Sequence, residues 1–193
     1  MKTLYLFRHG QTDWNKQHLI QGFSDIKLNQ LGRDQAIDLK SKLSNFKIDA
    51  FYSSTLKRAE QTVKIVTQDC HLSIIFSQDL KEANLGQAEG KTISEVKDKF
   101  GELFWDISKC HTFDFWNFSY PDGESRREVV NRFTSFVDQI PEQSFAISTH
   151  GGILCLYLLS LWQQAQIKIH KIPIPNCALY KIEFKTPINI EQL

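Results

Sequence analysis

Short apolar runs alternate with helix-length amphipathic segments along most of the chain, and no other feature restricts the fold as much. Residues 3–7 read as a wholly buried strand. A helical stripe follows over 30–44 (Leu31, Ala36, Leu39, Leu43), with Asn29 as its N-cap. A strand at 48–52, a helix over 56–68 with Ala59, Val63 and Val66 on one face, and a strand at 72–76 come next. Helices are expected at 92–100, from 123 or 124 to 139, and at 152–162, with strands at 145–148 and 178–184. Pro173 and Pro175 break the chain before the last strand, and residues 101–121 are aromatic and irregular. This β-α-β-α order calls for a three-layer α/β/α fold around a mostly parallel sheet. No linker or repeat divides the 193 residues, so a single domain over 1–193 is expected.

Charge and cysteine usage narrow the function classes. The formal net charge of +1 argues against a nucleic-acid surface or a polybasic membrane patch. Residues 1–9 form no signal peptide, and the apolar run at 153–162 is far short of the ~20 residues of a membrane span. Cys70, Cys110, Cys155 and Cys177 form no CxxC pair, which fits reduced thiols and a cytoplasmic location. The dipeptides Cys70-His71 and Cys110-His111 match no zinc spacing and read as solvated loop residues; no metal or cofactor is expected.

Three of the strands end alike. The first runs into Arg8-His9-Gly10. The second runs into Ser53-Ser54-Thr55, with Arg58 in the first turn of the next helix. The strand at 145–148 runs into Thr149-His150-Gly151-Gly152 and opens another helix. In a doubly wound sheet these ends share the carboxyl edge, where ligands bind. Two arginines can fork onto phosphate oxygens, while glycines and helix N-termini present backbone N–H groups to an anion. The flanking arginines should hold His9 neutral, leaving a ring nitrogen free to attack phosphorus. No P-loop lysine motif is present.

Taken in order, LYLFRHGQTDWN (4–15), GFSDIKLNQLGRDQA (22–36), SSTLKRAEQT (53–62), LKEANLGQAEGKT (80–92) and STHGG (148–152) resemble the histidine phosphatase superfamily, in its phosphoglycerate mutase-like branch. The resemblance implies the corresponding fold and a metal-independent phosphomonoesterase acting on a small phosphorylated metabolite. It implies His9 as the nucleophile that becomes phosphohistidine, and Arg8, Arg58 and His150 as ligands of the phosphoryl group. Glu82 would be the general acid and then the base, with Glu89 as its rival. Asn15, Gln21 and the Gly151 amide would be further substrate contacts.

Two readings compete within that family. Mutases carry an Arg-Arg pair beside a Trp, whereas here Asn117 and Phe118 follow Trp116; if Arg126 or Arg127 reached the pocket instead, a cofactor-dependent mutase would be favoured. The run Phe113, Phe115, Trp116, Phe118, Tyr120 is either a satellite core or a wall that stacks on an aromatic leaving group. The wall would suit a nucleoside monophosphate or α-ribazole 5′-phosphate. A non-catalytic interaction protein on the same fold is the reading from another class, and pairing of the 178–184 strand with a second copy would give a homodimer.

Overall fold

The computed structural model describes residues 2–101, 103, 104, 106–165, 172 and 174–193; the break expected at Pro173 lies outside them. In chain order the elements are β1 (Lys2–Arg8), α1 (Asp13–Lys16), α2 (Gln30–Leu43), β2 (Ala50–Ser54), α3 (Lys57–Val66), β3 (Ile74–Ser77), α4 (Ile93–Phe100), α5 (Phe113–Asn117), α6 (Arg126–Gln139), β4 (Ser144–Thr149), α7 (Gly151–Gln164), β5 (Leu179–Phe184) and β6 (Asn189–Gln192). One six-stranded sheet runs in the order β3-β2-β4-β1-β5-β6. The β3-β2-β4-β1 part is parallel, and β5 and β6 are antiparallel additions.

Alternation along the strands assigns the two faces. Leu4, Leu6, Tyr52, Phe145 and Ile147 point into a core shared with Val129, Phe133, Ile153 and Leu156 of α6 and α7. Tyr5, Phe7, Phe51 and Ala146 point the other way, onto Leu39, Leu43, Val63 and Val66 of α2 and α3. Each such fully buried Leu or Phe contributes roughly 1.5–3 kcal/mol of apolar transfer. Helix α7 is apolar on all sides because it is packed on all sides, from Ile153 to Leu159. Among the described residues no helix is long and apolar enough to cross a membrane.

Several expectations change. Leu31 is half exposed, and Gly32, Ala36, Leu39 and Leu43 form the buried stripe of α2 instead. Cys110 is buried in the core rather than solvated. The 178–184 strand is not an edge: β5 lies between β1 and β6, so its backbone is already paired on both sides. Strand β6 follows Pro187 and is short and polar, which hides it from any pattern of alternation. The sheet edges are β3 and β6.

The register levels the functional strand ends. Phe7 pairs with Ser148, and Ser148 with Ser53, so Arg8, Thr149 and Ser54 form the next row, with His9 and His150 just beyond it. His9 extends the ladder by donating its backbone N–H to Thr149 O at 3.0 Å. Gly10 then turns the chain against the start of α2; a Cβ there would lie 2.2 Å from Gly32 O. That close approach, with the Gly10 N–H donated to Thr62 Oγ1, explains Gly10 better than anion binding does.

Candidate active site

At the carboxyl edge of β1, β2 and β4 lies a cleft of about 470 Å³, lined by Arg8, His9, Asn15, Gln21, Arg58, Glu82, Gly151 and Gly152 among others. It brings together seven of the eight residues expected to form a site: Arg8, His9, Asn15, Gln21, Arg58, Glu82 and Gly151. The eighth, His150, is fully buried, its ring centroid 5.2 Å from that of His9.

His9 is oriented by its own strand end. Its Nδ1 lies 2.7 Å from Gly10 O, and a carbonyl only accepts, so Nδ1 carries the proton and Nε2 keeps its lone pair. Nε2 has no protein partner among the described residues, and the ring lines the cleft. Burial, then the charges of Arg58 and Arg8, hold the imidazole well below its ordinary titration range. A neutral, tautomerically fixed ring beside two guanidinium groups is the state a nitrogen nucleophile needs.

The two arginines are held from behind. Arg58 Nη2 donates to Gly22 O and Nη1 to Ser24 O, both at 2.7 Å, while Nε donates to His150 Nδ1 at 3.1 Å. Burial pushes Arg58 down to about 10, which leaves it charged at neutral pH. Arg8 Nη1 donates to Ile174 O at 2.6 Å. Its Nε is buried with no partner among the described residues, as is Gln21 Oε1, and both residues face the cleft. Each orphaned group costs about 1–3 kcal/mol unless a ligand satisfies it.

Glu82 docks on the start of α7. Its Oε2 accepts from Gly152 N at 2.9 Å, and its Oε1 from Ile153 N and Ala83 N at 3.0 Å. The arrangement uses the positive end of the helix, and Gly152 makes room for it. The rival carboxylate, Glu89, has other work. It accepts from Phe23 N, Ser24 N, Ser24 Oγ and Leu85 N, and so clamps the loop whose carbonyls hold Arg58. His150 is engaged on both ring nitrogens, by Arg58 Nε and by Ser54 Oγ at 2.8 Å.

Sequence reasoning did not single out Asn176 or Cys155, which also line the cleft. Asn176 Nδ2 lies 3.2 Å from both His9 O and Asn15 Oδ1, tying the backbone of His9 to the cap of α1. The turn pair Pro175-Asn176 was the available signal. Burial pushes the Cys155 thiol up to about 12, so it stays protonated and is no rival nucleophile.

Neither mutase candidate lines this cleft. Arg126 is fully buried, donating to the carbonyls of Leu103, Phe104 and Phe115, with its guanidinium 4.1 Å from the centroid of the Phe115 ring and 4.7 Å from that of Phe118. At the start of a helix Arg126 would be expected on a solvated face, but the segment carrying Leu103, Phe104 and Phe115 closes around it. Arg127 donates to Asn117 Oδ1 at 3.2 Å on the outside. Of the aromatic run, Phe115 and Tyr120 are buried in the core shared with α6 and α7, Trp116 and Phe118 pack against it, and Phe115 and Phe118 lie on the Arg126 guanidinium, whereas Phe113 is 76% exposed beside Arg127. None of them lines the cleft, which corrects the reading of a stacking wall.

The sequence model of the histidine phosphatase superfamily (branch 1) matches residues 4–187. The chain is 29% identical to a Bacillus subtilis (strain 168) protein named uncharacterized phosphatase PhoE, over 95% of this chain and 89% of that one. It is 32% identical to phosphoglycerate mutase-like protein 4 of Arabidopsis thaliana, over 88% of this chain and 73% of that one. The solved structure of Bacillus stearothermophilus YhfR is 28% identical and superposes with a TM-score of 0.77, covering 96% of this chain and 92% of the other.

Proposed function

The chain belongs to branch 1 of the histidine phosphatase superfamily, and from that premise we propose that it hydrolyses a small phosphomonoester through a phosphohistidine at His9. The observation that carries this reading is the fixed tautomer of His9, whose proton sits on Nδ1 toward Gly10 O while Nε2 is left to a cleft bearing two arginines. Nε2 attacks phosphorus in line as the P–O bond to the alcohol breaks. The leaving oxygen takes a proton from Glu82. Water then attacks the phosphohistidine, its proton passing to Glu82, and inorganic phosphate departs with the nitrogen restored. Arg8 and Arg58 hold the equatorial oxygens, and the orphaned Arg8 Nε finds its acceptor there. Asn15 and the Gly151 amide add donors to the phosphoryl group, and Gln21 adds a further polar contact. His150 acts through Arg58, whose Nε it accepts.

Hydrolysis is favoured over mutation of phosphoglycerates by the charge of the cleft. Among the described lining residues the arginines are Arg8 and Arg58, and there is no lysine. A bisphosphate with a carboxylate needs more cations than a single phosphoryl group does. The remaining wall, with Leu19, Ile20, Leu85 and Ile93, suits a substrate whose alcohol part carries little charge.

The test is phosphate release from a panel of phosphomonoesters in EDTA, with capture of the phosphoenzyme by an alkaline detergent quench. Turnover and an acid-labile phosphoenzyme are expected, both lost by about 10³-fold or more in His9→Ala. Unchanged turnover in that variant, no turnover on any ester, or faster isomerisation of 3-phosphoglycerate than hydrolysis would each overturn the reading.

A further inference from the structure

Away from the cleft, α6 sends one side chain to the loop that carries Glu82. Arg132 commits all five of its guanidinium N–H groups, three of them to that loop. Its Nη1 donates to Asp79 O and Lys81 O, each at 2.8 Å, and its Nη2 to Glu82 O at 2.8 Å. The other two go to Glu124, from Nε to Oε1 at 2.7 Å and from Nη2 to Oε2 at 3.0 Å. Glu124 completes the bracket, its Oε2 accepting from Asn84 N at 2.7 Å and its own N–H donating to Asn84 O at 2.8 Å.

This bracket is more than a surface ion pair. The two side chains are 18% and 23% exposed, and their contact is bidentate, the geometry in which an arginine–carboxylate pair is strongest. Residues 81–85 lie in no strand or helix, so their backbone groups need partners from elsewhere. Arg132 and Glu124 supply those partners on both sides of residue 82. The Glu82 carboxylate reaches Gly152 and Ile153 only if its own backbone is held at that distance.

We infer that Arg132 and Glu124 are positioning residues for the general acid, fixing the backbone from which Glu82 delivers its proton to the leaving oxygen. The inference rests on the proposed acid role of Glu82. It separates from a merely structural role through the leaving group. An acid held out of place penalises departure of an alkoxide, which must be protonated, and spares a nitrophenolate, which leaves without a proton.

The experiment measures kcat/KM, which reports the steps through departure of the alcohol, on an alkyl monophosphate and on p-nitrophenyl phosphate. The variants are Arg132→Met, Glu124→Gln and Glu82→Gln; Glu124→Gln carries the test should Arg132→Met fail to fold. The clamp variants are expected to lose about 10- to 100-fold on the alkyl ester and less than about threefold on the aryl ester. Combined with Glu82→Gln they should lose nothing further on the alkyl ester. Equal losses on both esters, or fully additive losses in the double variants, would overturn the clamp's role. A Glu82→Gln variant that loses both esters alike would instead bring down the acid assignment itself. Leaving-group selectivity in Glu82→Gln without selectivity in the clamp variants would bring down the clamp alone.

Discussion

The Nε–H of Arg58 donates to Nδ1 of His150 at 3.1 Å, so that nitrogen carries no proton and the ring's single proton points to Ser54 Oγ. An arginine can only donate, and the contact therefore fixes both the tautomer of His150 and the plane of the guanidinium. With Gly22 O and Ser24 O holding the two terminal nitrogens, Arg58 reaches the cleft already oriented. Lysine offers one point charge and cannot span these three partners. Arg58→Lys is expected to lower kcat/KM by roughly 10²-fold and stability by about 2 kcal/mol, read from steady-state kinetics and urea denaturation. Kinetics within threefold of the wild type would show that charge alone suffices.

Stability should depend on pH through the paired histidines. His9 and His150 are both held well below the ordinary value of 6.5, first by burial and then by Arg58. In the unfolded chain each ring takes up a proton near pH 6.5, while in the fold each stays neutral until the pH is much lower. The unfolded state then binds more protons, so stability present above about pH 6.5 is lost as the pH falls toward the folded values. The loss approaches about 1.4 kcal/mol per pH unit for each ring. Urea midpoints measured from pH 7.5 down to 5 should fall, and fall less steeply in His9→Ala. An unchanged slope in that variant would place the effect on other groups.

What could be read from the chain was whatever is local. Alternation and helical stripes located the strands that carry Arg8, Ser54 and Thr149, and the parallel order placed their ends on one edge. Arg126 shows the limit. One residue after a good N-cap it reads as solvated, yet the carbonyls of Leu103, Phe104 and Phe115, 11 to 23 residues away, turn inward to meet it. Sequence put Glu82 ahead but left Glu89 as its rival, because what separates them is tertiary: one meets the α7 terminus, the other the 22–24 loop. Strand β6, with one apolar residue in Asn-Ile-Glu-Gln, is made by pairing with β5 rather than by propensity.

Glu89 offers a separate handle on substrate binding. Its carboxylate takes four donors from Phe23, Ser24 and Leu85, and this loop in turn holds Arg58. Glutamine retains one acceptor oxygen and brings an N–H group against backbone donors. Glu89→Gln is expected to cost about 2 kcal/mol in stability and to raise KM about tenfold with a smaller change in kcat. A fall in kcat with KM unchanged would assign Glu89 to the chemistry and reopen its rivalry with Glu82.

Gly152 tests whether the docked position of Glu82 is its working one. A Cβ at 152 would lie 2.7 Å from Glu82 Oε1 and 3.2 Å from its Cδ. The clash is with the far end of a flexible side chain, so the carboxylate gives way and the backbone does not. Alanine also favours a helix over glycine by up to about 1 kcal/mol, so Gly152→Ala should leave stability unchanged or slightly raised. Activity should move the other way. With its contacts to Gly152 N and Ile153 N broken, Glu82 loses its fixed distance to the leaving oxygen, and kcat/KM on an alkyl ester should drop about 10- to 100-fold. The aryl ester should change little, since its leaving group departs unprotonated. An alkyl ester turned over as fast or faster by a normally stable Gly152→Ala protein would mean that the carboxylate leaves the helix terminus before it acts.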